Sequence, residues 1–245
     1  MIFIRHIKRH GHNNYIGESL NNRIKVIIII AVIAIIGIIL FSGGSVEEHS
    51  HGTIGSTSAG TVEKIVYGNE SAPTSIALIT GMHPREKLAI DPEIQAAKEF
   101  SNNDVKIIHY KVTVTDSPED YEVGRANGES LVNEFVNPDV TSSDADCVII
   151  SHSHVPEYGE GFYLATPEMD NASVDIAKKI SENSDFNYYP VTGNETYKSS
   201  SAVLVSKPIA SAGYPTFVYE IPENIFEFQS TQKTKELFEL MVKYA

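Results

Sequence analysis

Hydrophobic residues follow two different patterns along the chain. Near the N-terminus, the 16 residues from Val26 to Phe41 include no charged or strongly polar side chain. As a helix this run is about 24 Å long, and its flanking residues can extend it towards the ~30 Å hydrocarbon core of a bilayer. The pattern predicts a single transmembrane helix over residues 24–43. A cleaved signal peptide is the alternative, with a basic leading part that would be long for one.

Basic residues lie on only one side of this predicted helix. Five Lys or Arg residues occur within residues 1–25, whereas residues 44–60 contain none and are rich in Gly and Ser. The positive-inside rule therefore predicts that residues 1–23 are a cytoplasmic tail and that the C-terminal part is extracytoplasmic. Residues 44–60 are predicted to be a flexible stalk. We expect a single-pass protein of the cell membrane that contacts membrane lipid through residues 24–43.

From residue 61 onwards, segments of strand character alternate with segments of helical character. Apolar or alternating runs of strand length occupy residues 75–82, 105–114, 145–154 and 216–221. Helices are predicted over residues 91–100, 122–135, 171–182 and 226–244, with Pro92 in the first turn of the first of them. This order predicts an α/β fold, with a mixed β-sheet flanked by helices on both faces, for an extracytoplasmic domain of residues 61–245.

The charge of this domain narrows the range of partners. The chain has a formal net charge of -13; residues 1–44 carry five Lys or Arg and one acid, a charge of +4, so the remaining residues carry -17. Such a domain would be repelled by phosphates, which argues against nucleic acid as a partner. The single cysteine, Cys147, excludes an internal disulfide.

Candidate metal ligands follow two of the predicted strands. His83 and Glu86 come directly after the strand at 75–82, and His152 and His154 end the strand at 145–154. Site residues in open α/β sheets usually lie at the carboxyl ends of strands. Two histidines and one glutamate would leave a fourth position of a zinc ion open for water, which is the arrangement of catalytic zinc sites. Backbone hydrogen bonding by the histidines is the simpler alternative.

Three ordered motifs resemble those of the zinc carboxypeptidases and the related succinylglutamate desuccinylase/aspartoacylase group. They are GMHPRE, VIISHS and PTFVYEIPE, and the resemblance covers about residues 61–223. The resemblance implies that His83, Glu86 and His152 bind one Zn²⁺, with His154 as the rival third ligand. It also implies that Glu220 is the general base.

Some features of that family are absent or displaced in this sequence. The family usually has an Asn-Arg pair that holds a substrate carboxylate, whereas here GRANG offers Arg125, and Arg85 is the other arginine of the domain. The family's phenolic hydroxyl has three candidates, Tyr188, Tyr189 and Tyr197. The domain is also short for a carboxypeptidase, which leaves the substrate open.

The sequence therefore predicts a membrane-anchored zinc hydrolase that cleaves an amide bond with water activated by zinc and Glu220, and with Arg125 as a second catalytic residue. A peptide or cell-wall peptide is the expected substrate, and an N-acyl amino acid is less favoured. The alternative is a non-catalytic, surface-anchored binding module that has kept a degenerate carboxypeptidase-like fold.

Overall fold

The computed structural model describes residues 47–189 and 198–245, which form a single mixed sheet covered by helices. The strands are β1 Glu48–Thr57, β2 Gly60–Tyr67, β3 Thr74–Thr80, β4 Val105–Val114, β5 Cys147–His154, β6 Tyr163–Ala165, β7 Asn187–Tyr188 and β8 Thr216–Pro222. The helices are α1 Asp91–Phe100, α2 Tyr121–Leu131, α3 Asn137–Val140, α4 Asn171–Glu182, α5 Lys207–Ser211 and α6 Glu227–Tyr244. This architecture confirms the predicted α/β class.

The sheet has a parallel centre and antiparallel flanks. Its strand order is β1-β2-β4-β3-β5-β8-β6-β7. Strands β4, β3, β5 and β8 run parallel to one another, whereas β2 joins β4 and β6 joins β8 in antiparallel pairing. The carboxyl ends of β3, β5 and β8 therefore meet at one edge of the sheet.

The central strands are buried on both faces, which explains their nearly continuous apolar sequences. On β3, Leu78 packs into a core shared with α1, α4 and α6, including Ala96 and Phe238. Its neighbour Ile79 points to the opposite face and packs against Val132 and Val205. Successive side chains of a strand point to opposite faces, so one apolar run supplies two cores.

Two helical segments contain a π-helical turn immediately before a proline-containing helix. The turns Val132–Val136 and Ala202–Ser206 lead into α3 and α5, where Pro138 and Pro208 occupy the first turn. Proline has no N–H to continue the α-helical hydrogen bonds, and the wider turn lets the helical path go on with a shifted register. The helix predicted over 122–135 therefore continues further, in three pieces, to Val140.

A buried carboxylate connects a central strand of the sheet to two helices. Glu93 of α1 is fully buried and accepts hydrogen bonds from the hydroxyls of Ser151 on β5 and Thr234 on α6, the latter at 2.7 Å. Burial raises the pKa of Glu93 to about 7, and the two hydroxyl bonds offset only part of that shift.

The N-terminal boundary of the domain differs from the prediction. Residues 48–57 are not a flexible stalk but strand β1, which pairs antiparallel with β2 through the turn at residues 58 and 59. The glycines of this segment have structural reasons: Gly52 has a φ of +77° beside a register shift, and a Cβ on Gly55 would lie 2.0 Å from Cγ of Phe135.

The predicted cytoplasmic tail and the transmembrane helix of residues 24–43 lie outside the described residues. Within residues 47–189 and 198–245, no helix combines the length and the apolar character that a membrane crossing requires.

Candidate metal centre

A glycine turn carries His83 away from the end of β3. Gly81 has a φ of +79°, and a Cβ at this position would lie 2.2 Å from the carbonyl oxygen of Val112. Both the positive φ and the close approach require glycine. Helix α2 packs on the same turn through Gly128, where a Cβ would lie 1.8 Å from the Met82 carbonyl oxygen. The turn therefore places His83 beside one face of α2.

Three side chains converge at the carboxyl ends of β3 and β5. The Nδ1 atom of His83 lies 2.9 Å from Oε1 of Glu86, and Nδ1 of His152 lies 2.8 Å from Oε2 of the same carboxylate. One ligand atom from each residue lies within 4.8 Å of the other two. Both histidines are buried, and their ring centroids are 4.3 Å apart. The structure thus brings together the three residues that the sequence proposed as metal ligands.

The donor set and its surroundings fit a zinc ion. Two imidazole nitrogens and one carboxylate oxygen are typical ligands of catalytic zinc. The second ring nitrogen of His83, Nε2, lies 3.2 Å from Oε1 of Glu129, an outer carboxylate of the kind that orients a histidine ligand. With its proton directed to Glu129, His83 presents Nδ1 to Glu86, where a cation would be shared between them.

His83, Glu86 and His152, hereafter the cluster, influence one another's ionisation strongly. Burial opposes the charge on Glu86, but the neighbouring His152 and His83 outweigh it and hold the pKa of this carboxyl well below its usual range. Burial likewise disfavours the charge on His83, yet hydrogen bonds to Glu129 and Glu86 raise its pKa above the ordinary value. The cluster therefore concentrates carboxylate charge around two imidazoles in a place that attracts a cation.

Glu220 lies on the strand next to the cluster. It is the parallel partner of His152 in the β5–β8 pairing, and it lines the same cleft. Burial raises the pKa of Glu220 to about 7; the nearby Glu86 adds to this shift, whereas His152 and Arg125 partly offset it. A carboxyl group with such a pKa exchanges a proton readily at neutral pH, as a general base must.

The two arginines of the domain have different places. Nη1 of Arg125 donates to Oε1 of Glu86 and to Nδ1 of His83, both at 3.0 Å. Arg85 is exposed, and its guanidinium packs on the ring of Tyr121, 5.8 Å from the centroid. The guanidinium carbon of Arg125 is also near this ring, 5.2 Å from its centroid. Arg125, rather than Arg85, therefore contacts the cluster.

His154, the rival third ligand, lies outside the cluster. Its Nδ1 faces the carbonyl oxygen of Val155 and its Nε2 faces that of Gly161, each at 3.0 Å. Both ring nitrogens are thus engaged by backbone groups. His152 and His154 are two residues apart on β5 and project from the same side. They differ in their partners: His152 reaches Glu86, whereas His154 reaches backbone carbonyl groups.

Sequence reasoning did not find Glu129. This residue follows Arg125 by four positions on α2, so the two side chains lie on the same helix face. That spacing was a usable signal once Arg125 was considered. Among the three tyrosine candidates, Tyr189 lines the cleft, Tyr188 instead bonds Thr166 at 2.7 Å, and Tyr197 lies outside the described residues.

The cluster, Arg125 and Glu220 open into a cleft of about 790 Å³. Tyr121, Tyr158, Tyr163 and Tyr189 form much of its aromatic lining. This volume is in the usual range for sites that bind small molecules or short peptide segments.

Solved structures with a similar fold are metallo-carboxypeptidases. One from Burkholderia cenocepacia is 13% identical, with a TM-score of 0.52, over 83% of this chain and 66% of its own. One from Pseudomonas aeruginosa, in complex with (2-guanidinoethylmercapto)succinic acid, is 13% identical, with a TM-score of 0.53, over 80% of this chain and 64% of its own. A Burkholderia mallei protein, provisionally named a carboxypeptidase, is 15% identical, with a TM-score of 0.56, over 82% of this chain and 64% of its own.

These similarities establish the fold: the described domain has the metallo-carboxypeptidase architecture that the three motifs indicated. The chain spans slightly less than two thirds of the length of each of these structures. No protein-family model matches the sequence, and a search of curated proteins finds no match.

Proposed function

We propose that the protein is a zinc-dependent hydrolase that cleaves an amide bond of a peptide. The observation that carries the proposal is the convergence of His83, Glu86 and His152 beside Glu220 in one cleft. Three metal ligands alone would also suit a purely structural metal site. Glu220 beside them, with a pKa of about 7, adds the acid–base group that hydrolysis needs.

The side chains have separate roles in this proposal. His83, Glu86 and His152 would hold zinc, and zinc when bound supplies a Lewis acid that polarises the amide carbonyl and makes water more acidic. Glu220 accepts a proton from the attacking water and returns it to the departing amine. Arg125 is a hydrogen-bond donor beside the cluster and stabilises negative charge that develops on the carbonyl oxygen.

The proposal includes a location and a substrate class. The apolar segment 24–43 and the basic residues before it support an anchor in the cell membrane with the domain outside the cytoplasm. Peptides of the cell envelope or wall are the substrates available there. The cleft volume of about 790 Å³ suits a short peptide segment. The sequence contains no phosphate-binding glycine loop.

Metal analysis and peptide hydrolysis by the purified full chain test this function. We expect one zinc per chain, hydrolysis that stops when a chelator removes the metal, and recovery when zinc is restored. Glu220→Gln should keep the zinc and lower kcat by at least about 100-fold, because it removes the base without removing a ligand. The exposed Glu239 offers a matched control, and Glu239→Gln should behave as the unaltered protein.

Two results would contradict the hydrolase. They are a chain that binds no zinc under any loading condition, and a Glu220→Gln variant that hydrolyses peptides at the original rate. A chain that binds both zinc and peptide without cleaving the peptide would instead support the surface-anchored binding module. The absence of an Asn-Arg pair in the sequence is the observation in favour of that alternative.

A further inference from the structure

Acidic side chains outnumber permanently basic side chains in the lining of the cleft. Among the described lining residues, the permanently cationic side chains are Arg85 and Arg125, against the four carboxyl groups of Glu86, Asp120, Glu220 and Glu223. Arg125 donates to Glu86 and His83 of the cluster, and Arg85 packs on Tyr121.

The four carboxyl groups also differ in availability. Glu86 is bound by both histidines, and Glu220 has the acid–base role proposed above. Oδ1 of Asp120 accepts the backbone N–H groups of Glu122 and Val123, and so caps α2. Glu223 is exposed, and within residues 47–189 and 198–245 its side chain pairs with no cation.

Glu223 is held in a defined position although it is exposed. Its backbone N–H donates to the carbonyl oxygen of His154 at 2.9 Å, which continues the β5–β8 pairing, and Pro222 restricts the backbone before it. The hydroxyl of Ser153 donates to Oε1 of Glu223 at 3.1 Å. The N–H of Ser153 in turn donates to Oε2 of Glu86 at 3.2 Å. Glu223 is therefore linked to Glu86 of the cluster through a single residue, Ser153.

The remaining lining suits the carbon chain that accompanies an ammonium group. Tyr163 packs between His154 and Tyr189, with ring centroids 5.0 Å and 4.7 Å away, and exposed Tyr158 lies in the same cleft. Aromatic faces favour contact with methylene groups and with cations. The formal charge of -17 on residues 45–245 attracts the same kind of ligand at long range.

We propose that Glu223 is a specificity-determining residue that selects peptides with an ammonium group close to the scissile amide. This inference rests on the proposed hydrolase function and narrows its substrate class to cationic peptides. The ammonium belongs either to a lysine-like side chain or to a free N-terminus. Oε1 of Glu223 accepts from Ser153, and Oε2, which accepts no hydrogen bond from the part of the chain that the structure describes, can bind the ammonium.

Hydrolysis of paired peptides by the zinc-loaded full chain tests the proposal. In a set of tripeptides, lysine replaces the uncharged norleucine in turn on each side of the last amide, with the N-terminus free or acetylated. The ammonium-bearing member of one pair should show about fivefold higher kcat/KM, the size expected for a solvent-accessible ion pair. The position of the preferred ammonium then identifies its source.

The variants assign this preference to Glu223. Glu223→Gln should bring the ratio close to one, Glu223→Lys should favour a glutamate-containing peptide, and Glu239→Gln should leave the ratio unchanged. High salt should weaken the preference of the unaltered protein by screening the ion pair. The proposal is overturned if the unaltered protein shows no preference for ammonium, or if Glu223→Gln keeps the full preference.

A binding measurement separates failure of this inference from failure of the hydrolase. Affinities of the same peptides are measured on zinc-loaded Glu220→Gln chains, with and without Glu223→Gln. If no peptide is hydrolysed but ammonium peptides bind more tightly only when Glu223 is present, the specificity stands and the hydrolase fails. If affinity is indifferent to the ammonium as well, both are rejected.

Discussion

Glu129 allows a direct test of how the protein supports its candidate zinc site. Its carboxylate is 2% exposed and faces Nε2 of His83 at 3.2 Å, on the side of the ring opposite Glu86. Glu129→Gln keeps an acceptor at this position but removes the negative charge. Glu129→Ala removes the acceptor too, so the proton of His83 is free to move to Nδ1, the nitrogen needed by the metal.

The expected loss follows from the strength of this hydrogen bond. A hydrogen bond to a charged group contributes about 1.5–3 kcal/mol, and 1.4 kcal/mol is about tenfold in Kd. We therefore expect Glu129→Gln to weaken zinc binding by about tenfold and Glu129→Ala by about 100-fold, the range found for outer-shell partners of metal ligands. The test requires Glu129→Ala to lose more zinc affinity than Glu129→Gln, in addition to losses of these magnitudes.

Competition with a chromophoric chelator at neutral pH measures the zinc affinity. Glu134 is exposed on the same helical path, so Glu134→Gln is a matched control that should bind zinc as the unaltered chain does. Thermal unfolding of the metal-free variants shows whether the fold is kept. If folded Glu129→Ala binds zinc within about twofold of the unaltered chain, Glu129 does not support the site and the reasoning fails.

Two further predictions concern the third ligand and the buried carboxylate. His152→Ala should weaken zinc binding by more than about 100-fold, whereas His154→Ala should leave one zinc per chain, as measured by metal analysis; the reverse result would exchange their roles. The folded-state pKa of Glu93 is about 7, against 4.5 ordinarily, so the unfolded chain loses this proton first and stability falls as pH rises between these values. Between pH 5 and pH 8 the free energy of unfolding should fall by about 2–3 kcal/mol more for the unaltered chain than for Glu93→Gln in urea unfolding, with Glu239→Gln as control. Equal pH dependence in both chains would show that Glu93 is not held protonated.

Most elements of the fold could be predicted because their patterns are local. The strand at 105–114 and the helix at 171–182 have the predicted bounds, since alternation and amphipathic spacing depend on nearby residues alone. The stalk prediction was wrong for residues 48–57 because glycine and serine were taken as signs of flexibility. Gly55 is glycine because the ring of Phe135, 80 positions away, leaves no room for a Cβ.

The sequence by itself determined which chemical groups stand at the ends of strands: His83 and Glu86 after β3, His152 on β5 and Glu220 on β8. Strand order, which depends on pairing between distant segments, was needed to make β3, β5 and β8 neighbours. Only the tertiary structure decided that His152 rather than His154 joins the cluster, that Arg125 rather than Arg85 contacts it, and that Glu129 supports His83. These choices depend on which side chain reaches a point in space, and residues with the same chemistry carry no local signal that shows which of them does so.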